Sequence, residues 1–114
     1  MNTPSIDQQS AGADLSHCQR IAAGGALGED AHHAARGAAF DVSIRVMREG
    51  ERIEAEAGLC GEEVAAILEG AFTIHAAGEQ YRLSPGEAII IPPGEPRVWL
   101  CTSERGVLYR VLTQ

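Results

Sequence analysis

Lysine is absent from this chain of 114 residues: all 9 of its basic residues are arginines, set against 16 aspartates and glutamates for a formal charge of -7. An acidic excess of that size argues against a nucleic-acid backbone as the main partner. Two phenylalanines, two tyrosines and one tryptophan give no platform for stacked bases either. No apolar run approaches the roughly 20 residues that span a bilayer, and no basic amphipathic segment suits an anionic membrane. The opening MNTPSIDQQSAGAD has neither the basic cap nor the apolar stretch of a secretory signal, so a cytoplasmic location is expected. The 3 cysteines, Cys18, Cys60 and Cys101, are odd in number and far apart, which fits reduced thiols and no disulfide framework or zinc finger. No phosphate-cradling loop and no local Ser-His-Asp arrangement can be read.

The hydrophobic content of 45% with 22% charged residues belongs to a globular chain, and the length fits one core. Residues 1–39 read as an N-terminal arm, polar at first and then rich in Ala, Gly and His, that could act as a lid or an edge strand. They contain no convincing helix-turn-helix pattern. The stretch GEDAHHAARGAAF, Gly28 to Phe40, supports a short helical turn or an irregular approach to the first strand.

From residue 40 to 114 the signals are those of strands. In FDVSIRVM, Phe40, Val42, Ile44 and Val46 alternate with Asp41, Ser43, Arg45 and Met47, the period of a sheet with one buried face. Arg52–Ala57 can form a strand. EVAAIL, from Glu63, has a period open to helix or strand, and Gly70 followed by FTIH favours a hairpin. Pro92 and Pro93 end the β-branched run Ala88–Ile91, and Arg97–Leu100 and Gly106–Leu112 supply the last strands. Short strands with Gly/Pro turns and no long helix point to an all-β barrel, with an open sandwich as the competing architecture.

Two spacings sharpen this. In GEAIIIPPGEPRVW, Gly86, Pro92, Gly94 and Arg97 follow one another with five, one and two residues between them. Upstream, Gly50, Glu56, Gly58, Glu63 and Gly70 have gaps of five, one, four and six. The pair resembles the two motifs of the cupin superfamily, over Phe40 to about Val111. The resemblance implies a double-stranded β-helix, or jelly-roll barrel, with a small-molecule pocket inside. It also implies that Glu56, Gly58, Glu63 and Arg97 stand where family members place three histidines and a glutamate around a metal. Only Glu63 is retained, and arginine has no lone pair for a metal. The expected protein is therefore a small-molecule-binding domain without cofactor or the usual metal centre. Enzyme status stays open: the other readings are an isomerase or epimerase, or an enzyme with an atypically coordinated divalent metal.

Arg97, on the inner surface, should pair in a fork with Glu63 or anchor an anionic ligand. Glu63 is the candidate proton-transfer group, and Glu56 and Trp99 are candidate pocket residues. His75 alternates with Phe72 and Ile74 in FTIH and is expected on the face opposite to theirs, as a surface or sheet-packing residue. His17, His32, His33 and the cysteines could complete a site from a distance. Edge strands and apolar surface, with the habit of the resembling family, suggest a homodimer.

Overall fold

The computed structural model describes residues 15–22, 32–56, 58 and 60–114, and all regular structure within them is β. The strands are β1 His32–Arg36, β2 Phe40–Arg48, β3 Arg52–Ala55, β4 Glu63–Glu69, β5 Phe72–Ala76, β6 Glu79–Leu83, β7 Ala88–Ile91, β8 Arg97–Cys101 and β9 Arg105–Thr113. They form two antiparallel sheets, a larger one in the order β1-β2-β9-β4-β7 and a smaller one in the order β3-β8-β5-β6. The chain passes repeatedly from one sheet to the other, and the two enclose the core of a jelly roll. Among the described residues no helix is long and apolar enough to cross a membrane.

Register defines what faces inward. In the large sheet one row runs Ile67, Leu108, Arg45, His32; the next runs Ala65, Arg110, Ser43, Ala34; the third runs Glu63, Leu112, Asp41, Arg36. In the small sheet Phe72 and Cys101 share a row, Ile74 and Trp99 the next, Ala76 and Arg97 the last. The barrel is consequently apolar at the end built from Met47, Phe72 and Cys101, where the buried core cluster lies, and polar at the end built from Glu63 and Arg97. Trp99 stands between them, its ring edge-on to Phe72 with centroids 6.2 Å apart.

Four local expectations need correction. The Ala/Gly/His stretch contains a strand, β1, because pairing with β2 satisfies its backbone along one edge. Glu63–Glu69 and Phe72–Ala76 are no hairpin: β4 pairs with β7 and β9, and β5 with β6 and β8. Gly70, at φ +80°, turns the chain from one sheet to the other. The alternation in β2 has the expected period and the opposite phase, since Phe40, Val42 and Ile44 lie on the outer face and Arg45 and Met47 on the inner. Phe40 is 46% exposed and Met47 fully buried. Finally, residues 15–22 lie against that outer face and not over the barrel's polar end. Leu15, His17, Gln19 and Ile21 line a groove with Phe40, Val42, Ile44 and Tyr109, and Gln19 Nε2 donates to the Arg36 carbonyl at 2.7 Å. The remainder of the arm, residues 1–14 and 23–31, lies outside the described residues.

Candidate functional site

Glu63 opens β4 with its side chain inward, 0% exposed, at the polar end of the barrel. A carboxylate so placed survives only with its oxygens satisfied, and they are. Oε1 accepts from Arg97 Nη1 at 3.1 Å and Arg110 Nη2 at 3.0 Å. Oε2 accepts from Trp99 Nε1 at 3.0 Å and Arg110 Nε at 2.6 Å. The donors come from β8 and β9, on opposite sheets, so this one carboxylate stitches the two sheets together.

Arg97 is 1% exposed and equally committed. Besides Glu63 it donates from Nε to the Glu95 carbonyl at 3.1 Å and from Nη2 to the Pro92 carbonyl at 2.8 Å. Pro92–Gly94 is the turn between β7 and β8, so the guanidinium also fastens that turn. Gly94 N donates to the Cys60 carbonyl and Gly58 N to the Gly94 carbonyl, each at 2.8 Å, which ties the loop before β4 to the same corner. The thiol of Cys60 donates to the Glu95 carbonyl at 3.2 Å, so Cys60 is a half-buried loop anchor.

The expected ion pair between Arg97 and Glu63 is present, yet the fork belongs to Arg110. Its Nε and Nη2 grip the two carboxylate oxygens while Arg97 contributes one bond. Sequence reasoning did not single out Arg110. A signal was there: in GVLYRVL it is the one charged residue, in phase with Leu108 and Leu112.

The electrostatics follow. Burial by itself pushes the Glu63 carboxyl up, but the hydrogen bond and charge of Arg110, with the bonds from Arg97 and Trp99, outweigh it and hold the group below its ordinary range. A general base for work near neutrality needs the opposite shift. With both oxygens taken twice, Glu63 is built to stay ionised and fixed.

The other candidates fall elsewhere. Trp99 is fully buried and spends its indole N–H on Glu63, so its role at the site is to floor it. Glu56 is exposed and makes no bond to the cluster; with Glu54, His75, Glu79 and Arg97 it lines a depression of about 580 Å³ at the edge of the small sheet. His75 is on the outer face, as its phase requires. His32 and His33 point to opposite faces of β1, and Cys18 is exposed. Cys101 belongs to the apolar core.

The four positions that the motif spacing assigns to metal ligands do not fit a metal. Glu56 is at the rim, Gly58 offers no side chain, Arg97 is a fixed cation, and the Glu63 oxygens are saturated by donors. Among the described residues no three His, Cys, Asp or Glu side chains are grouped to hold one.

Comparison with known proteins agrees with this architecture. The family model described as "Cupin domain" matches residues 44–111. Among solved structures, a cupin superfamily protein from Desulfitobacterium hafniense DCB-2 is similar at TM-score 0.64 and 18% identity, over 76% of this chain and 81% of that one. KdgF from Halomonas sp. is similar at TM-score 0.62 and 16% identity, over 72% and 77% of the two chains. The corresponding domain of an XRE family transcriptional regulator from Enterobacter cloacae is similar at TM-score 0.57 and 21% identity, over 66% and 80%. At these identities the likeness is one of fold. No curated protein sequence matches the chain.

Proposed function

This chain is a member of the cupin domain family, and on that premise we propose that it binds a small organic molecule at the polar end of its barrel, with an arginine-held carboxylate where relatives organise a metal. The observation that supports the reading is the four-donor clamp on Glu63. It preorganises a polar floor at no cost to a ligand, which is how binding sites gain affinity. Arg110 keeps the floor in contact with solvent, at 15% exposure. No resident transition metal and a cytoplasmic location belong to the same reading.

Trp99 makes the test site-specific, because it is the single tryptophan and bonds directly to Glu63. Small carboxylates, sugars and phosphorylated metabolites are screened by Trp99 fluorescence and thermal unfolding, on protein purified without chelator and checked by elemental analysis. The expected result is saturable quenching with a raised melting temperature for one class of compound and no stoichiometric metal. No saturable response from any class, or about one equivalent of Fe, Mn, Ni or Zn, contradicts the reading.

A second copy of the chain is proposed as the cover for the β4 and β7 side of the large sheet's outer face, beyond the part that residues 15–22 line. Val64 is 41% and Ile90 66% exposed there. Across β2, β9, β4 and β7 the outer rows from Phe40 to Ile44 carry no charge. Two copies each carrying -7 repel through most other surfaces and least through this one. Light scattering should give twice the chain mass of 12.1 kDa, and Ile90→Asp should give the single mass. A monomeric wild type over the micromolar range contradicts it.

A further inference from the structure

The inner face of the large sheet holds more positive charge than the Glu63 clamp uses. Arg45 on β2 lies in register between His32 on β1 and Leu108 on β9, facing inward. Arg110 is two residues along β9 on the same face. Among the described residues Arg45 makes no hydrogen bond and no ion pair; the ion pairs of the barrel interior are those of Arg97 and Arg110. Arg110 leaves Nη1 outside its fork on Glu63. Glu63 has no capacity left, each oxygen taking two donors. Asp41, the inward carboxylate of β2, faces Arg36 across the strand pair and accepts from Gln114 Nε2 at 2.8 Å. Like charges set side by side on a sheet face destabilise it, so this grouping is relieved when an anion enters. A guanidinium with free N–H groups matches the two-oxygen edge of a carboxylate or phosphate.

We propose that Arg45, with His32 and Arg110, forms an oxyanion subsite that receives the carboxylate or phosphate group of the molecule bound in the barrel. The proposal rests on the barrel-binding reading above and adds the chemical class of the ligand. It also moves anion recognition away from Arg97, whose donors are spent on Glu63, Glu95 and Pro92. His32 already senses the cluster: burial holds its imidazole below the ordinary value, and Arg45 and Arg110, with His33 on its own strand, lower it further. An anion seated among these groups reverses the charge effect and raises it.

The experiment follows the His32 imidazole by NMR in the full chain at low ionic strength, during titration with inorganic phosphate and, separately, acetate. One or both should bind saturably, raise the pKa of His32 and raise the melting temperature. A response to phosphate alone identifies a phosphorylated ligand, and a response to acetate a carboxylate. Arg45→Gln should weaken binding about tenfold or more without lowering the melting temperature in the absence of anion, because Arg45 has no partner to lose among the described residues. Arg52→Gln, which breaks a surface pair with Glu54, should leave binding unchanged. A His32 signal indifferent to both anions, or an equal response in Arg45→Gln, overturns the subsite. If neutral compounds quench Trp99 while neither anion moves His32, the subsite falls and barrel binding stands. If the anions act through Arg45 and no compound of the screen quenches Trp99, the subsite stands and the larger binding reading falls.

Discussion

Glu63→Gln should lower the unfolding free energy by about 3–5 kcal/mol, the range for breaking a buried ion pair from one side. The substitution keeps the shape and removes the charge, leaving Arg97 at 1% exposure with no counter-ion. It also sets an amide N–H₂ against donors from Arg97, Arg110 and Trp99. Arg97→Ala should cost less, about 1–3 kcal/mol, because Arg110 continues to grip the carboxylate with two bonds while Glu63 Oε1 loses one of its two donors and the Pro92 and Glu95 carbonyls lose theirs. Chemical denaturation of the two variants gives the order directly. A Glu63→Gln protein as stable as wild type, or more stable than Arg97→Ala, contradicts the clamp.

Gly70→Val should be the most damaging change outside the clamp, with a loss of roughly 2–6 kcal/mol from backbone strain and overpacking together. At φ +80° the backbone is in the left-handed region that a β-branched side chain avoids. A Cβ there would collide with the Arg105 carbonyl oxygen and stand 2.5 Å from Ser103 Oγ and 2.8 Å from Gly106 Cα. Two of those three atoms are backbone, so the strain has no flexible side chain to absorb it. Because this corner carries the chain from β4, which holds Glu63, to β5, which packs under Trp99, the damage should reach the site as a red shift of Trp99 emission. A melting temperature unchanged within error would place the corner elsewhere.

The residues legible in the sequence were those whose requirement is local. Gly70 needs its φ whatever the rest of the chain does, and Pro92 ends a strand by chemistry alone, so their linked spacings carried the fold. Period was legible in FDVSIRVM, but phase was not. Which face is inner depends on β9 pairing beside it, and that strand, Arg105–Thr113, lies at the other end of the barrel sequence. The hairpin read at Gly70 failed for the same reason, since a glycine corner between sheets and a glycine turn within one have the same local composition. Arg110 is 47 residues from Glu63 and in no spacing motif, so only its isolation among inward apolar residues pointed to it. Arg45 carried no such signal, because Asp41 and Ser43 share its face and make the row read as a solvent side.

The clamp makes a pH dependence whose sign is fixed. The folded protein binds the Glu63 proton more weakly than the unfolded chain, so the stability it contributes is complete above the ordinary carboxylate value of about 4.3 and is lost as pH falls through the depressed folded value. The measurement that reaches the central claim most directly is the ¹³C titration of the Glu63 side-chain carboxyl in the folded protein. A midpoint below the ordinary glutamate range, shifting up toward it in Arg110→Gln, is the result expected of an anion held by arginines. A midpoint displaced upward toward neutrality would mean that burial wins over the donors, and that Glu63 is a proton-transfer group after all.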